Sequence, residues 1–499
     1  MGARVEQAVA ALRAVAARPY PTAPLTLASI AAAAGSGPST ASRLCADLVA
    51  AGALARGDGY GTFRLGPRAI ALSGRAAAPL AAVTHFELHR IAQDTSETVL
   101  LAAPERTGAR VVASVGSGWT LHVPAGVGDL VEDDRRAVVR AARGDEAEVV
   151  EAQAGRAVEI AVALSAPDGR CVAVLAVCLP VYRAVRARTR IRRVLLEARR
   201  AFEKTLAAPP ADPLPAATPP DAPAPAAPPA RPAPAAPPSP AAPIHAPAPR
   251  TVEAALRLLE RLAAGATTIP ALATASGIRP DRVRRLVDGL LRTGMVHRDT
   301  ETDALHLDAG VHGWHRAAMI PLLEEASATV VPDTAARLGT CVFVTTLRGM
   351  RSFTLVEHIE PLGEGLLMTP WLGRPHPLVG SDGGPTLAGD FAPEQLAALF
   401  PRRHGALEYE RFVRRAAQAR ADGVLVMESP DEFAITSVSA PVRDSSGLVA
   451  AAACIVGASE DVRPRLDDLR DAARALAAAL SARLCGAESP PMPLPRTMG

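Results

Sequence analysis

From Gly35 to Leu65 the chain aligns without a gap with its own segment from Gly277 to Leu307, at a shift of 242 positions. The shift pairs Gly35 with Gly277, Pro38 with Pro280, Arg43 with Arg285, Leu44 with Leu286, Leu48 with Leu290, Gly52 with Gly294, Arg56 with Arg298 and Leu65 with Leu307. A period this long means two whole modules in tandem, not the short stacked units of a solenoid. Each copy reads as helix, helix, glycine turn, helix and short hairpin, roughly from Val5 to Leu72 and from Val252 to Trp314. That is the size and order of a DNA-reading head, so the chain has two to place.

At 499 residues the chain is too long for one core and suggests about three or four domains. The clearest boundary is 207–249, where 18 of 43 residues are proline and 17 are alanine. Proline fixes φ and removes backbone donors, so this segment reads as a disordered linker. Extended as polyproline, it would span about 130 Å, at about 3.1 Å per residue. Each flank then repeats one order: head, connecting helix, mixed α/β region, final helix.

Arginine is common and lysine occurs once, at Lys204. This skew is the mark of a GC-rich genome and is not itself a nucleic-acid signal; the net charge of +3 neither demands nor excludes an acidic partner. Local charge says more. Residues 1–78 hold eight arginines against three acids, and residues 250–319 hold ten against eight. The first head therefore leans toward phosphate and the second is mixed.

The six cysteines (Cys45, Cys171, Cys178, Cys341, Cys454, Cys485) include no C-x-x-C pair and sit in apolar runs, as small buried hydrophobes do. Neither disulfides nor a metal site is expected, and no cofactor motif is present. The longest apolar stretches, Cys171–Val181 and Leu448–Gly457, are too short to cross a bilayer, and Glu6 breaks the N-terminal myristoylation pattern. A cytoplasmic protein with no membrane partner is expected.

In the first copy Val5, Val9, Leu12 and Val15 form one apolar stripe, and Thr26 suits the N-cap of the next helix. Pro38 suits the first position of the third helix, because its missing donor would be unpaired there. Ala41, Leu44, Cys45 and Leu48 face inward; Ser39, Thr40, Ser42 and Arg43 face outward. In the second copy Val283, Leu286, Val287 and Leu290 face inward, with Asp281, Arg282, Arg284 and Arg285 outward. Hydroxyls near a helix start bond phosphates and arginine pairs with guanine, as major-groove reading requires. The hairpins Arg56–Leu65 and Arg298–Leu307 read as wings lying along the DNA backbone.

Downstream, Phe86–Asp94 reads as helix and Thr98–Ala102, Arg110–Val115, Val158–Leu164 and Cys171–Cys178 as strands, the last two joined by Pro167-Asp168-Gly169. Tyr182–Leu206 reads as a helix whose arginines (Arg183, Arg186, Arg190, Arg193) form a solvated face. The second half repeats the plan at Thr340–Leu347, Phe353–Ile359, Ala434–Pro441 and Leu448–Val456, with a last helix at Val462–Cys485.

These motifs resemble the IclR family of bacterial transcriptional regulators. Ser39-Thr40-Ala41-Ser42-Arg43-Leu44 matches the S-T-x-x-R-L common in that family's recognition helix, and Phe63-Arg64-Leu65-Gly66 fits its wing. The second head keeps Arg285-Leu286 but has Asp281-Arg282 in place of Ser-Thr. The resemblance implies an α+β fold of two winged helix-turn-helix domains (1–78 and 250–318). Each would be followed by a GAF-like antiparallel-sheet domain (79–206, truncated, and 319–486), with the Pro/Ala linker at 207–249 and a disordered tail at 487–499. It implies operator DNA contact by Ser39, Thr40, Ser42, Arg43, Arg56 and Arg64 in the first head and by Arg282, Arg284, Arg285 and Arg298 in the second. Two different faces imply two unlike half-sites, read by a homodimer or by an intramolecular pseudo-dimer in which the spacer keeps the second head near.

Arg420–Gly457 resembles the family's pocket-forming stretch, and Leu372–Leu387 its ligand-covering segment. By that resemblance His376, Ser381, Asp382, Asp431, Glu432 and Cys454 line a cavity for a small organic effector, of a repressor or an activator. Between Gly116 and Ala157 the first half has little room for the same covering segment, and it reads as a scaffold or dimerisation domain.

Two other classes fit the sequence less well. Gly380-Ser381-Asp382-Gly383-Gly384 is not the G-x-S-x-G of a nucleophile elbow, and His85 and His89, four apart around Glu87, are not H-E-x-x-H and read as a solvated helix face. The chain is not expected to be an enzyme. An interaction protein descended from such a regulator, no longer binding DNA, is favoured only by Asp281 and the weak charge surplus of the second head.

Overall fold

The computed structural model describes residues 2–17, 24–57, 59–145, 147–208, 250–361, 367–400, 405–428 and 434–487. Most of the Pro/Ala segment, the tail beyond 487, Asp431 and Glu432 lie outside them.

The first head comprises α1 (Gly2–Ala16), β1 (Leu25–Thr26), α2 (Leu27–Ala33), α3 (Pro38–Ala50), β2 (Leu54–Arg56) and β3 (Thr62–Leu65). Thr26 caps α2, its Oγ1 accepting from the Ser29 amide at 3.3 Å. Gly35 makes the turn into α3 at φ +57°, a left-handed conformation that glycine adopts without steric cost. Then α4 runs unbroken from Pro67 to Thr95. The Phe86–Asp94 helix is only its last third, and a boundary at residue 78 falls inside it. Pro79, which would end an exposed helix, is carried here because tertiary packing on both flanks holds the helix together.

Next come β4 (Thr98–Glu105), β5 (Gly108–Val115), β6 (Leu130–Val131), α5 (Ala137–Ala142), β7 (Val150–Ala154), β8 (Ala157–Ser165), β9 (Cys171–Pro180) and α6 (Val181–Ala207). The second half brings α7 (Thr251–Ala263), α8 (Ile269–Ser276), α9 (Pro280–Arg292), β10 (Val296–Arg298), β11 (Leu305–Leu307), a 3-10 turn (Ala309–Gly313) and α10 (Trp314–Leu338). It ends with β12 (Cys341–Arg348), β13 (Arg351–His358), β14 (Pro375–Pro377), α11 (Gly384–Leu387), α12 (Pro393–Leu399), α13 (Ala406–Asp422), β15 (Leu425–Glu428), β16 (Ile435–Arg443), β17 (Val449–Ala458), α14 (Ser459–Val462) and α15 (Leu466–Leu484).

The two large sheets have matching orders, β6-β5-β4-β9-β8-β7 and β14-β13-β12-β17-β16-β15, with antiparallel neighbours throughout. The first sheet therefore has all six strands. What is shorter is the helical cover, α5 alone where the second half has α11, α12 and α13. The edge strands β6, β7, β14 and β15 escape a sequence reading because they are short and half-buried.

One hydrophobic core serves both heads: Val5, Leu12, Leu44 and Leu48 belong to the same buried cluster as Leu256, Leu259, Val283 and Leu290. Charged groups rim it. Arg68 on α4 grips Glu253 (2.6 Å) and Glu260 (2.7 Å) of α7, and Arg13 of α1 donates to the carbonyls of Thr293 (2.5 Å) and Gly294 (3.1 Å) after α9. Ser73 and His315, 242 positions apart, meet at 2.9 Å between Oγ and Nδ1. A residue that touches its own repeat mate marks a pseudo-twofold axis. The relative placement of the heads is thus set by packing, not by the reach of the 207–249 spacer. A protease site engineered into 209–249 and cut should leave the two fragments co-eluting on a sizing column; their separation would contradict the shared core.

Candidate nucleic-acid interface

Pro38 opens α3 and its N-cap, Gly37, supplies no capping side chain, so the positive end of the helix faces outward. Ala41, Leu44, Cys45 and Leu48 are fully buried, which fixes the rotation of the helix and leaves Ser39, Ser42 and Arg43 exposed and Thr40 half-buried. Burial pushes the Cys45 thiol up to about 11, making it an inert core group. Arg43 and Arg56 are exposed and have no ion pair among the described residues. Arg64 is different. Its guanidinium pairs with both oxygens of Glu325 on α10, and Glu325 also accepts from Arg483 (3.1 Å), so the sequence-named contact is committed to the other half of the chain. Tyr60, fully exposed at the tip of the β2–β3 wing, was missed by the sequence reading; its signal was an aromatic among the glycines Gly57, Gly59 and Gly61.

The corresponding face of α9 is more neutralised. Arg284 pairs with Asp281 at 3.0 Å, Arg285 donates to the Asp281 carbonyl at 3.2 Å, and Arg298 pairs with Asp303 at 3.5 Å. Arg282 is half-buried. All four named arginines of this head lie on or beside one helix and its wing, and Arg284, Arg285 and Arg298 are tied to their own backbone or acids.

In the second α/β region the structure brings Ser381, Asp382 and Cys454 together. The turn into α11 crosses the sheet so closely that a Cβ on Gly383 would lie 3.0 Å from the Cys454 sulfur. Burial, and then the nearby Asp382 carboxylate, push the Cys454 thiol up to about 12. Thr345 lies beside it (4.0 Å), and Thr386 of α11 bonds Ser439 of β16 at 2.7 Å, buried hydroxyls that the sequence reading overlooked. His376 stands apart, on the edge strand β14 opposite Ser352, its ring edge-on to Trp371. In the first region the equivalent face carries an ion pair between the half-buried Arg136 of the α5 N-cap and the buried Glu159 of β8, beside the Cys178 thiol at 3.8 Å. Glu159 interrupts an otherwise apolar strand, a signal the sequence reading passed over.

The histidines of α4 are not solvated. His85 stacks on Phe391 of the second half at 4.5 Å between ring centroids, and His89 lies edge-on to it at 5.9 Å. Among the described residues, no group of three or more His, Cys, Asp or Glu could hold a metal ion, and no helix is long and apolar enough to cross a membrane.

The family model for the IclR helix-turn-helix domain matches residues 5–58, and that for the bacterial transcriptional regulator IclR C-terminal domain matches residues 320–482. No curated protein matches the chain. Among solved structures it is similar to HmgR of Pseudomonas aeruginosa (20% identity, TM-score 0.37, covering 48% of this chain and 100% of that one). An IclR-family transcriptional regulator from Rhodococcus is 22% identical, with TM-score 0.36, covering 50% of this chain and 100% of that one. An IclR homolog from Microbacterium hydrocarbonoxydans, solved with 4-hydroxybenzoate, is 20% identical, with TM-score 0.29, covering 47% and 98%.

Proposed function

The chain belongs to the IclR family of bacterial transcriptional regulators, and from that premise we propose that one chain supplies both reading heads of an operator complex, as a pseudo-dimer descended from a fused pair of subunits. The observation that carries this reading is the exposed Ser39, Ser42 and Arg43 set at an outward-facing helix start, over a fully buried opposite face. The shared core of the two heads supports a fixed spacing between half-sites. The half-sites are unlike, because α9 presents Asp281 and acid-paired arginines where α3 presents hydroxyls and Arg43. The first head carries most of the affinity. A small organic effector, bound near Ser381, Asp382 and Cys454, acts by favouring one arrangement of the heads over another, which requires unequal affinity for the two. The protein works in the cytoplasm.

The test is footprinting and titration on the chain's own upstream region. Arg43→Ala should weaken binding by about 1–3 kcal/mol and relax sequence preference at one half-site only. Arg285→Ala should have a smaller effect at the other. An unchanged footprint and affinity for Arg43→Ala would refute the assignment.

A further inference from the structure

The repeat provides an internal control for surface charge, because both copies share one genome's preference for arginine. Pro180 and Ala458 end equivalent ladders opposite Ala157 and Ile435, which sets a local shift of 278 between α6 and the segment Ser459–Cys485. The inward faces correspond residue by residue: Ala184, Ile191, Leu195, Ala198 and Phe202 are buried, and so are their mates Val462, Leu469, Ala473, Leu476 and Leu480. The outward faces do not correspond. Among exposed residues, Arg190 and Arg193 stand where the second copy has Asp468 and Asp471, whereas Arg183, the mate of Asp461, is half-buried and grips the buried Glu97. Eight arginines and Lys204 against Glu197 and Glu203 leave α6 with a net charge of +7, while five arginines against five acids leave Ser459–Cys485 at zero.

A merely solvated face has no reason to reverse sign at two matched exposed positions and become strongly basic in one copy only. Arg186, Arg193 and Arg200, seven residues apart and all exposed, rise along one side of the helix at about 10 Å per step. Arg193 has only a loose 3.9 Å approach to Glu197, and Arg186 and Arg200 have no ion pair among the described residues. Arg188 and Arg190 are only partly offset, by Glu151 (2.6 Å) and Asp94 (3.9 Å).

We propose that the outer face of α6 is a second, sequence-independent DNA-binding surface, engaging the phosphate backbone apart from the reading heads. It shares with the proposed function the premise that DNA is the partner, but not the residues. Duplex DNA is the occupant argued for because a row of guanidinium groups complements a line of phosphates, and this chain already presents arginines to DNA through α3.

The experiment is a salt titration of full-length protein on a scrambled duplex of about 30 base pairs. The variant Arg186→Gln/Arg193→Gln/Arg200→Gln should lower the slope of log K against log salt by about 2.7, from about 0.9 per lost phosphate contact, and weaken binding about tenfold at moderate salt. The control Arg463→Gln/Arg470→Gln/Arg474→Gln removes the same charge from the second copy and should leave the slope unchanged. Equal slopes for the α6 variant and wild type would overturn the proposal. So would equal losses in both variants, or loss of binding only to vesicles of anionic lipid. Arg43→Ala on operator DNA reports the heads independently, so failure of either reading is distinguishable. All the substituted arginines are exposed except Arg470, which is half-buried, and thermal unfolding reports whether each variant folds.

Discussion

Acidification from pH 7 to about 4.5 should destabilise the junction between the halves by several kcal/mol, of which His312 alone accounts for about 2–3. The groups involved are His85 and His89 of α4, His312 of the 3-10 turn, and His315 and Arg316 of α10. Phe391, Asp308 and Asp444 face them from the adjoining segments. Burial lowers all four imidazoles, with like charge from Arg316 adding to it at His85, His312 and His315; His312 falls to about 4. A histidine lowered in the folded state binds its proton more readily when unfolded. Its stabilising contribution is therefore complete above the unfolded value of about 6.5 and is lost as pH falls toward the folded one. Asp444 works in the opposite direction, since burial raises its carboxyl, but it is one group against four. Urea midpoints measured against pH give the curve. The repeat supplies the control: His312→Ile, which installs the residue found at Ile70 in the other copy, should flatten it by the His312 share. A variant curve parallel to wild type would remove His312 from the account.

Arg68→Met should cost about 2–4 kcal/mol, a large effect for a single partly exposed arginine. Arg68 donates to both carboxylates of α7 and to the Ala51 carbonyl (3.2 Å), and these hydrogen bonds raise its pKa against the effect of burial. Removing it leaves Glu253 and Glu260, about two turns apart on α7, facing the seam without their common cation. The loss comes from the stranded acids as well as the missing bonds, so Glu253→Gln in the Arg68→Met background should recover part of the stability. Glu253 also accepts from Arg257 (2.8 Å), which limits that recovery. A double variant no more stable than the single one would show that packing of the arginine stem, not charge, held the seam.

Much of the architecture is legible in local pattern. The stripe Val5, Val9, Leu12, Val15, the cap at Thr26, the glycine turn and the inward set of α3 all stand where the sequence places them, because each depends on residues within a turn or two. The four inner strands of each sheet were legible for the same reason, as continuous apolar runs bounded by turn residues. The full length of α4 was not legible. Its first two thirds are rich in alanine and interrupted by Gly74 and Pro79, and its buried residues face two different halves of the molecule, which blurs a single helical stripe. The site residues divide similarly. Arg43 is exposed as its position on α3 requires, whereas Arg64 is occupied by an acid 261 positions away.

The sequence by itself determined that two like heads exist, how each is wound, and which side of α3 is left polar, since periodicity over a dozen residues carries that information. Only the tertiary structure decided that the heads share one core, that His85 and His89 are enclosed against Phe391, and that Arg64 is held by Glu325. Those outcomes depend on groups that lie far apart in the chain and meet only once both halves have closed on their common axis.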